Sequence, residues 1–232
     1  MTTFDSRNCL LNALSPGDLA LLAPHLCLVA LELRQTVEAP NAPIEHCYFV
    51  EGGIISIVAV SARARSAEVG LVGPEGMTGL SVVMGGDRSP NDTYVQVAGS
   101  AQRLPSDRLR EAMITSPTLQ QTLLRYAHAF LVQTTHTALA NGTAKIAERL
   151  SRWILMCQDR VGGDELPLTH ELLAVMLAVR RPGVTDALHM LEGMGLIRAA
   201  RGQIRVIDRT GLIATSDGCY GVPEAEYERL LG

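Results

Sequence analysis

Residues 168–207 read LTHELLAVMLAVRRPGVTDALHMLEGMGLIRAARGQIRVI. Thr169 is placed to cap a first helix, because its hydroxyl can accept a free amide of the opening turn. Leu172, Leu173, Met176 and Leu177 follow at helical spacing and give that helix an inner face. Ala178 and Val179 fall in a turn, at a place where glycine is common in such units. Pro182 lies in the first turn of a second helix, where a missing amide hydrogen costs little. Val184, Leu188 and Leu191 recur at i, i+4 and i+7 and form the face turned toward the first helix. Two short helices, a tight turn and a following strand pair make a winged helix-turn-helix. Such a unit is built to lay its second helix in the major groove of DNA.

The outward face at the start of the second helix carries Arg180, Arg181, Thr185 and His189, and Thr169 and His170 open the first helix beside it. These six are the candidate DNA contacts on the helices. Arginine can donate two hydrogen bonds to guanine O6 and N7, or grip a phosphate with the same fork. The wing runs Leu196-Ile197-Arg198, Ala199-Ala200-Arg201-Gly202 and Gln203-Ile204-Arg205-Val206-Ile207, with apolar and polar residues alternating. Gly202 supplies the turn. Arg198 and Arg201, with Arg205, suit phosphate contacts, which position a protein without reading sequence. Residues 166–210 hold six arginines against four acidic residues, while the whole chain is at −4. Affinity for nucleic acid therefore has to come from local placement rather than global charge.

At 232 residues and 47% apolar content the chain is long enough for two modest domains and too apolar to be disordered. No run reaches 18 apolar residues and the N-terminus lacks a signal-peptide pattern, which sets the expectation of a cytoplasmic protein without membrane contact. Cys9, Cys27, Cys47, Cys157 and Cys219 are scattered, with no Cys-x-x-Cys pair, so no metal site and no iron–sulfur cluster is expected. The six histidines are equally dispersed, and no His-x-His occurs, which argues against a metal-dependent β-barrel enzyme. No enzymatic activity is expected.

Ahead of the winged unit the texture changes twice. Residues 9–26 suggest a short amphipathic helix broken at Ser15-Pro16-Gly17. Residues 28–104 suggest short strands separated by glycine-bearing turns, with a glycine-rich loop and short helix over Pro74–Gly86: an antiparallel barrel or jelly roll. Ser116-Pro117 then opens a long helix reaching about residue 140, roughly 35 Å at 1.5 Å per residue. That exceeds what its own domain needs. Leu119, Leu123, Tyr126 and Phe130 are its expected dimer face, and Asn141-Gly142 its expected hinge. The tail after Asp208 offers Tyr220, Tyr227, Leu230 and Leu231 for packing on the C-terminal domain. The expected organisation is an α+β chain: a β-rich domain over 1–115, to which the resemblance below gives a sensor role, a dimerisation helix and hinge over 116–142, and a winged helix-turn-helix domain over 143–232.

This layout resembles the cyclic-AMP receptor/fumarate–nitrate regulator (Crp/Fnr) family of bacterial transcription factors. The likeness is carried by Tyr48-Phe49-Val50-Glu51-Gly52-Gly53, by Gly76-Met77-Thr78-Gly79-Leu80 and by Val179–Leu196. It implies a cyclic-nucleotide-binding-like β-roll, a homodimer, an inverted-repeat operator in double-stranded DNA, and RNA polymerase as a further partner. By the same resemblance the base contacts fall on Arg180, Arg181 and Thr185. Pro182 replaces a glutamate common after the main arginine and Asp186 a later arginine, so a distinct operator is expected. The effector pocket would involve Gly76, Thr78, Gly79, Leu80, Arg88 and Ser89. Members that bind cyclic nucleotides carry a glutamate in a Gly-Glu-Leu segment for the ribose, and here that segment reads Thr78-Gly79-Leu80. Arg88 is present, but Pro90-Asn91-Asp92 separates it from the next strand. Cyclic AMP is therefore not expected as the effector, whose identity stays open; nothing favours haem, and no cofactor is expected. Two alternatives stand beside this reading: a cyclic-nucleotide-responsive regulator of the same family, and a ligand- or protein-binding sensor without DNA activity.

Overall fold

The computed structural model describes residues 5–63 and 65–232. Two short helices come first, α1 (Cys9–Asn12) and α2 (Pro16–Leu22), with the break falling at the expected Ser15-Pro16-Gly17, where Ser15 caps α2 through the Asp18 amide. Strands β1 (Cys27–Leu31), β2 (Thr36–Glu38), β3 (His46–Val60), β4 (Ser66–Val72) and β5 (Asp92–Pro105) form an antiparallel sheet in the order β1-β5-β3-β4, with β2 also on β5. Helix α3 (Leu80–Val83) sits in the glycine-rich loop between β4 and β5.

The Glu51-Gly52-Gly53 stretch does not end a strand as its glycines suggest. β3 runs through it, with register shifts against β5 between Val50 and Ile55. Glycine is needed because two backbones nearly touch: a Cβ on Gly99 would lie 1.9 Å from the Gly52 carbonyl oxygen, and Gly53 holds φ +90°. The segment is a bend in a long strand, where the absent side chains allow close approach.

Helix α4 (Ser106–Thr115) leads to α5 (Pro117–Thr143), capped by Ser116, whose Oγ accepts from the Leu119 amide at 3.2 Å. Asn141 and Gly142 lie inside α5, which corrects the expected hinge. The chain turns instead at Ala144 and Lys145, before α6 (Ile146–Val161), whose Glu148 accepts from the Lys145 amide at 2.8 Å. The proposed dimer residues also need correction. Leu119, Leu123 and Tyr126 are buried in the chain's own N-terminal core, and Phe130 packs beside Gly70 of β4. The face of α5 left open carries Leu124, Leu131, Ala138 and Leu139.

The C-terminal domain follows with β6 (Glu165–Leu166), α7 (His170–Met176), α8 (Arg181–Gly193), β7 (Ile197–Ala200), β8 (Gln203–Val206) and α9 (Arg209–Thr215); its sheet order is β6-β8-β7. Val184, Leu188 and Leu191 are buried as their spacing requires. The β-roll and the C-terminal domain share a core, since Ile54, Val58 and Leu71 belong to the same cluster as Trp153, Leu173, Met176 and Leu188. A last helix, α10 (Val222–Leu231), returns to pack along α5. Tyr227 donates to the Glu75 carbonyl at 2.6 Å, and Leu231 packs against the N-terminal core. Of the tail residues expected on the C-terminal domain, only Tyr220 packs against that cluster.

Candidate DNA interface and sensor cavity

Thr169 caps α7 by accepting from the Leu172 amide at 3.2 Å. α7 then closes through Ala178, which takes φ +51°, a left-handed geometry that glycine adopts with less strain. This turn sets α8 across α7. Thr169, His170, Arg181, Thr185, His189 and Arg201 all line one open groove between the two helices and the wing. Thr185 Oγ1 lies 3.4 Å from His170 Nδ1 and donates to the Arg181 carbonyl at 3.2 Å. Glu192 Oε1 accepts from the Ala199 amide at 2.8 Å and fastens the wing to α8. Arg180 and Arg198 are exposed but lie outside the groove lining. Glu171, Asp186 and Glu192 also line it, so the groove is mixed in charge.

Elsewhere in the C-terminal domain, arginines are engaged. Arg160 pairs with Glu75 at 2.7 Å, Arg209 with Asp159 at 2.7 Å, and Arg152 donates to the Cys219 carbonyl at 2.9 Å. Among the described residues, Arg180, Arg181, Arg198, Arg201 and Arg205 form no ion pair. Arg198 and Arg205 are moreover direct cross-strand partners on the wing. Like charges placed opposite one another destabilise a strand pair, a cost that an anion between them would relieve.

The β-roll holds a separate cavity of about 360 Å³ against α5. Gly79, Leu80 and Ser89 line it, as the sequence suggests. Gly76, Thr78 and Arg88 do not. Gly76 is a packing position, where a Cβ would fall 2.0 Å from Tyr126 Oη. Thr78 is fully buried and its Oγ1 accepts from the Tyr48 amide at 3.2 Å. Arg88 is an exposed side chain paired with Asp87 at 2.9 Å. From α5 come Ala127, His128, Phe130, Leu131 and Thr134.

The residue that sequence reasoning missed is Glu38. The residue is 8% exposed and lines the cavity, and its carboxylate accepts from the Gly79 amide at 2.6 Å and from Thr93 Oγ1 at 3.3 Å. Burial pushes its carboxyl above the usual range, with hydrogen bonds from Gly79, Thr93 and Thr78 opposing. A lone glutamate on a three-residue strand gives no sequence signal, because only the sheet pairing of β2 with β5 carries it to Gly79. Among the described residues, no lysine or arginine lines this cavity, and no cluster of three histidine, cysteine or acidic side chains is placed to hold a metal. No helix described is long and apolar enough to cross a membrane.

Comparison with known proteins agrees with this geometry. Residues 148–215 match the Crp-like helix-turn-helix domain family. Among curated proteins none matches the sequence. Among solved structures, one from Eubacterium rectale assigned to the Crp/Fnr family of transcriptional regulators is 18% identical. The match covers 90% of this chain and 98% of that one, with a TM-score of 0.71. The c-di-GMP-responsive global regulator CLP of Xanthomonas campestris is 19% identical over 83% of this chain and 99% of its own, with a TM-score of 0.67. FixK2 of Bradyrhizobium japonicum is 17% identical over 82% and 96%, with a TM-score of 0.71. At these identities the likeness establishes the fold.

Proposed function

We propose that this chain, which carries a Crp-like helix-turn-helix domain on a Crp/Fnr-type fold, is a sequence-specific DNA-binding transcriptional regulator that works as a homodimer. The observation that carries the reading is the set of arginines without ion pairs around the α8–wing groove, against engaged arginines elsewhere in the domain. Arg181, Thr185 and His189 face the bases, with Arg180 and His170 at the edges. Asp186 offers an acceptor suited to cytosine N4, which would distinguish this operator from one read by arginine there. Arg198, Arg201 and Arg205 hold phosphates and set the register. The action is on DNA in the cytoplasm, with RNA polymerase as the further partner.

Dimerisation rests on the open face of α5. Leu124, Ala127, Leu131, Thr134 and Ala138 recur at alternating spacings of three and four, the pattern of a helix seam. Two copies joined there would present two recognition helices to an inverted repeat with half-sites about 34 Å apart. Ala127, Leu131 and Thr134 also line the sensor cavity, so a ligand there would touch the seam directly. A cyclic phosphate finds no cation in this cavity and meets the Glu38 carboxylate instead, which favours an effector other than cyclic AMP. Selection of bound sequences from a random DNA pool tests the reading: an enriched inverted repeat is expected, and an absence of enrichment, or a single asymmetric half-site, sinks it.

A further inference from the structure

We propose that the cavity between the β-roll and α5 takes a small organic cation, an amine or amidine head on an apolar body. This deepens the reading of the β-roll as a sensor and rests on it. The head group is set by Glu38. Its two oxygens accept from Gly79 and Thr93, with Thr78 as a further donor, whereas an ionised carboxylate has about four acceptor sites. The residue is 8% exposed and lines the cavity with acceptor capacity left over. A buried charge without an opposite partner is costly, and a ligand N–H cation placed there relieves that cost.

The body of the ligand is set by the walls. Ile57, Leu80, Met84 and Leu131 give them apolar surface, and Phe130 presents a ring within the same lining. The titratable residue that α5 adds to the lining is His128, which lies 3.4 Å from Glu226 of α10. The nearest cationic candidate on the loop, Arg88, is turned outward onto Asp87 and supplies nothing to an anion. A cavity of about 360 Å³ holds a ligand of one ring and a short arm.

Calorimetry on the full chain tests this, using 2-phenylethylamine and benzamidine as probes, with phenylacetate and cyclic AMP as anionic controls. The expected result is saturable amine or amidine binding at least tenfold tighter than either anion. Glu38→Gln keeps an acceptor for the Gly79 amide but removes the charge, and should erase that preference. Equal or tighter binding of an anion overturns the proposal, as does no saturable heat with either cation, or a preference that survives in Glu38→Gln. Should that variant not fold, methyl-labelled methionine in the wild-type chain locates the probe. The Met84 resonance should move on titration, with Met156 of the C-terminal core still; movement confined to Met156 places the ligand elsewhere and refutes the site. Binding is read without DNA, so its failure leaves the DNA selection experiment to stand or fall alone.

Discussion

Glu68 is fully buried on β4, yet it faces the C-terminal domain. Its Oε1 accepts from the Trp153 indole of α6 and its Oε2 from Ser56, both at 2.7 Å. Ser56 Oγ also lies 2.5 Å from Gln96 Oε1, so one hydroxyl proton stands between two acceptors. Protonating Glu68 is one way to resolve the conflict, since its O–H can donate to Ser56, which then donates to Gln96; turning the Gln96 amide to offer Nε2 is another. Burial is the main force raising the carboxyl to about 7, against hydrogen bonds from Ser56 and Trp153 and the charges of Arg152 and Arg160. Moving from 4.5 to about 7 corresponds to roughly 3 kcal/mol of pH-dependent stability. Because the folded value is raised, the folded state binds the extra proton. That stability is present in full below pH 4.5 and is lost as pH rises through 7. Glu68→Gln retains an acceptor for Trp153 and cannot ionise. In urea unfolding at fixed protein concentration, the variant's stability relative to wild type should therefore climb by about 2.5 kcal/mol between pH 5 and pH 8. A difference that stays constant across that range would refute the assignment of this titration to Glu68.

Arg181→Ala should cost about 1–3 kcal/mol of discrimination between the selected operator and a base-substituted one, measured by competition binding; an equal loss on random DNA would move Arg181 to the phosphates. Arg201→Ala should weaken binding to all sequences and reduce the salt slope by about 1, and an unchanged slope would remove Arg201 from the phosphate contacts. Leu124→Glu puts a charge into the α5 seam and should yield monomers in sedimentation at micromolar concentration, whereas a persistent dimer would show that the seam lies elsewhere.

The winged unit was legible because its signals are local: a cap at Thr169, Pro182 in the first turn of α8, and apolar spacing that fixes the inner face. The same local logic misassigned α5. Its strongest apolar residues, Leu119, Leu123 and Tyr126, are strong because they serve the core under the β-roll, and the open face is left with Leu124, Leu131 and alanines. Periodicity marks which residues share a face but not what the face meets. At Gly52-Gly53, the sequence could not distinguish a turn from a bulge, since both need glycine, and the deciding contact comes from Gly99 far along the chain. Glu38 and Glu68 were invisible for a related reason. Each takes its role from residues on other strands or helices, brought near only by the fold.

The shared core carries a lesson for anyone wishing to treat the two halves as interchangeable cassettes. A chimera cut at the Ala144–Lys145 turn would transplant the reading head without the floor it stands on. Ile54, Val58 and Leu71 would lose their cover on one side, and the Trp153 indole its acceptor on the other. Grafts onto a foreign sensor should carry those four residues, with Glu68, as one exchangeable block.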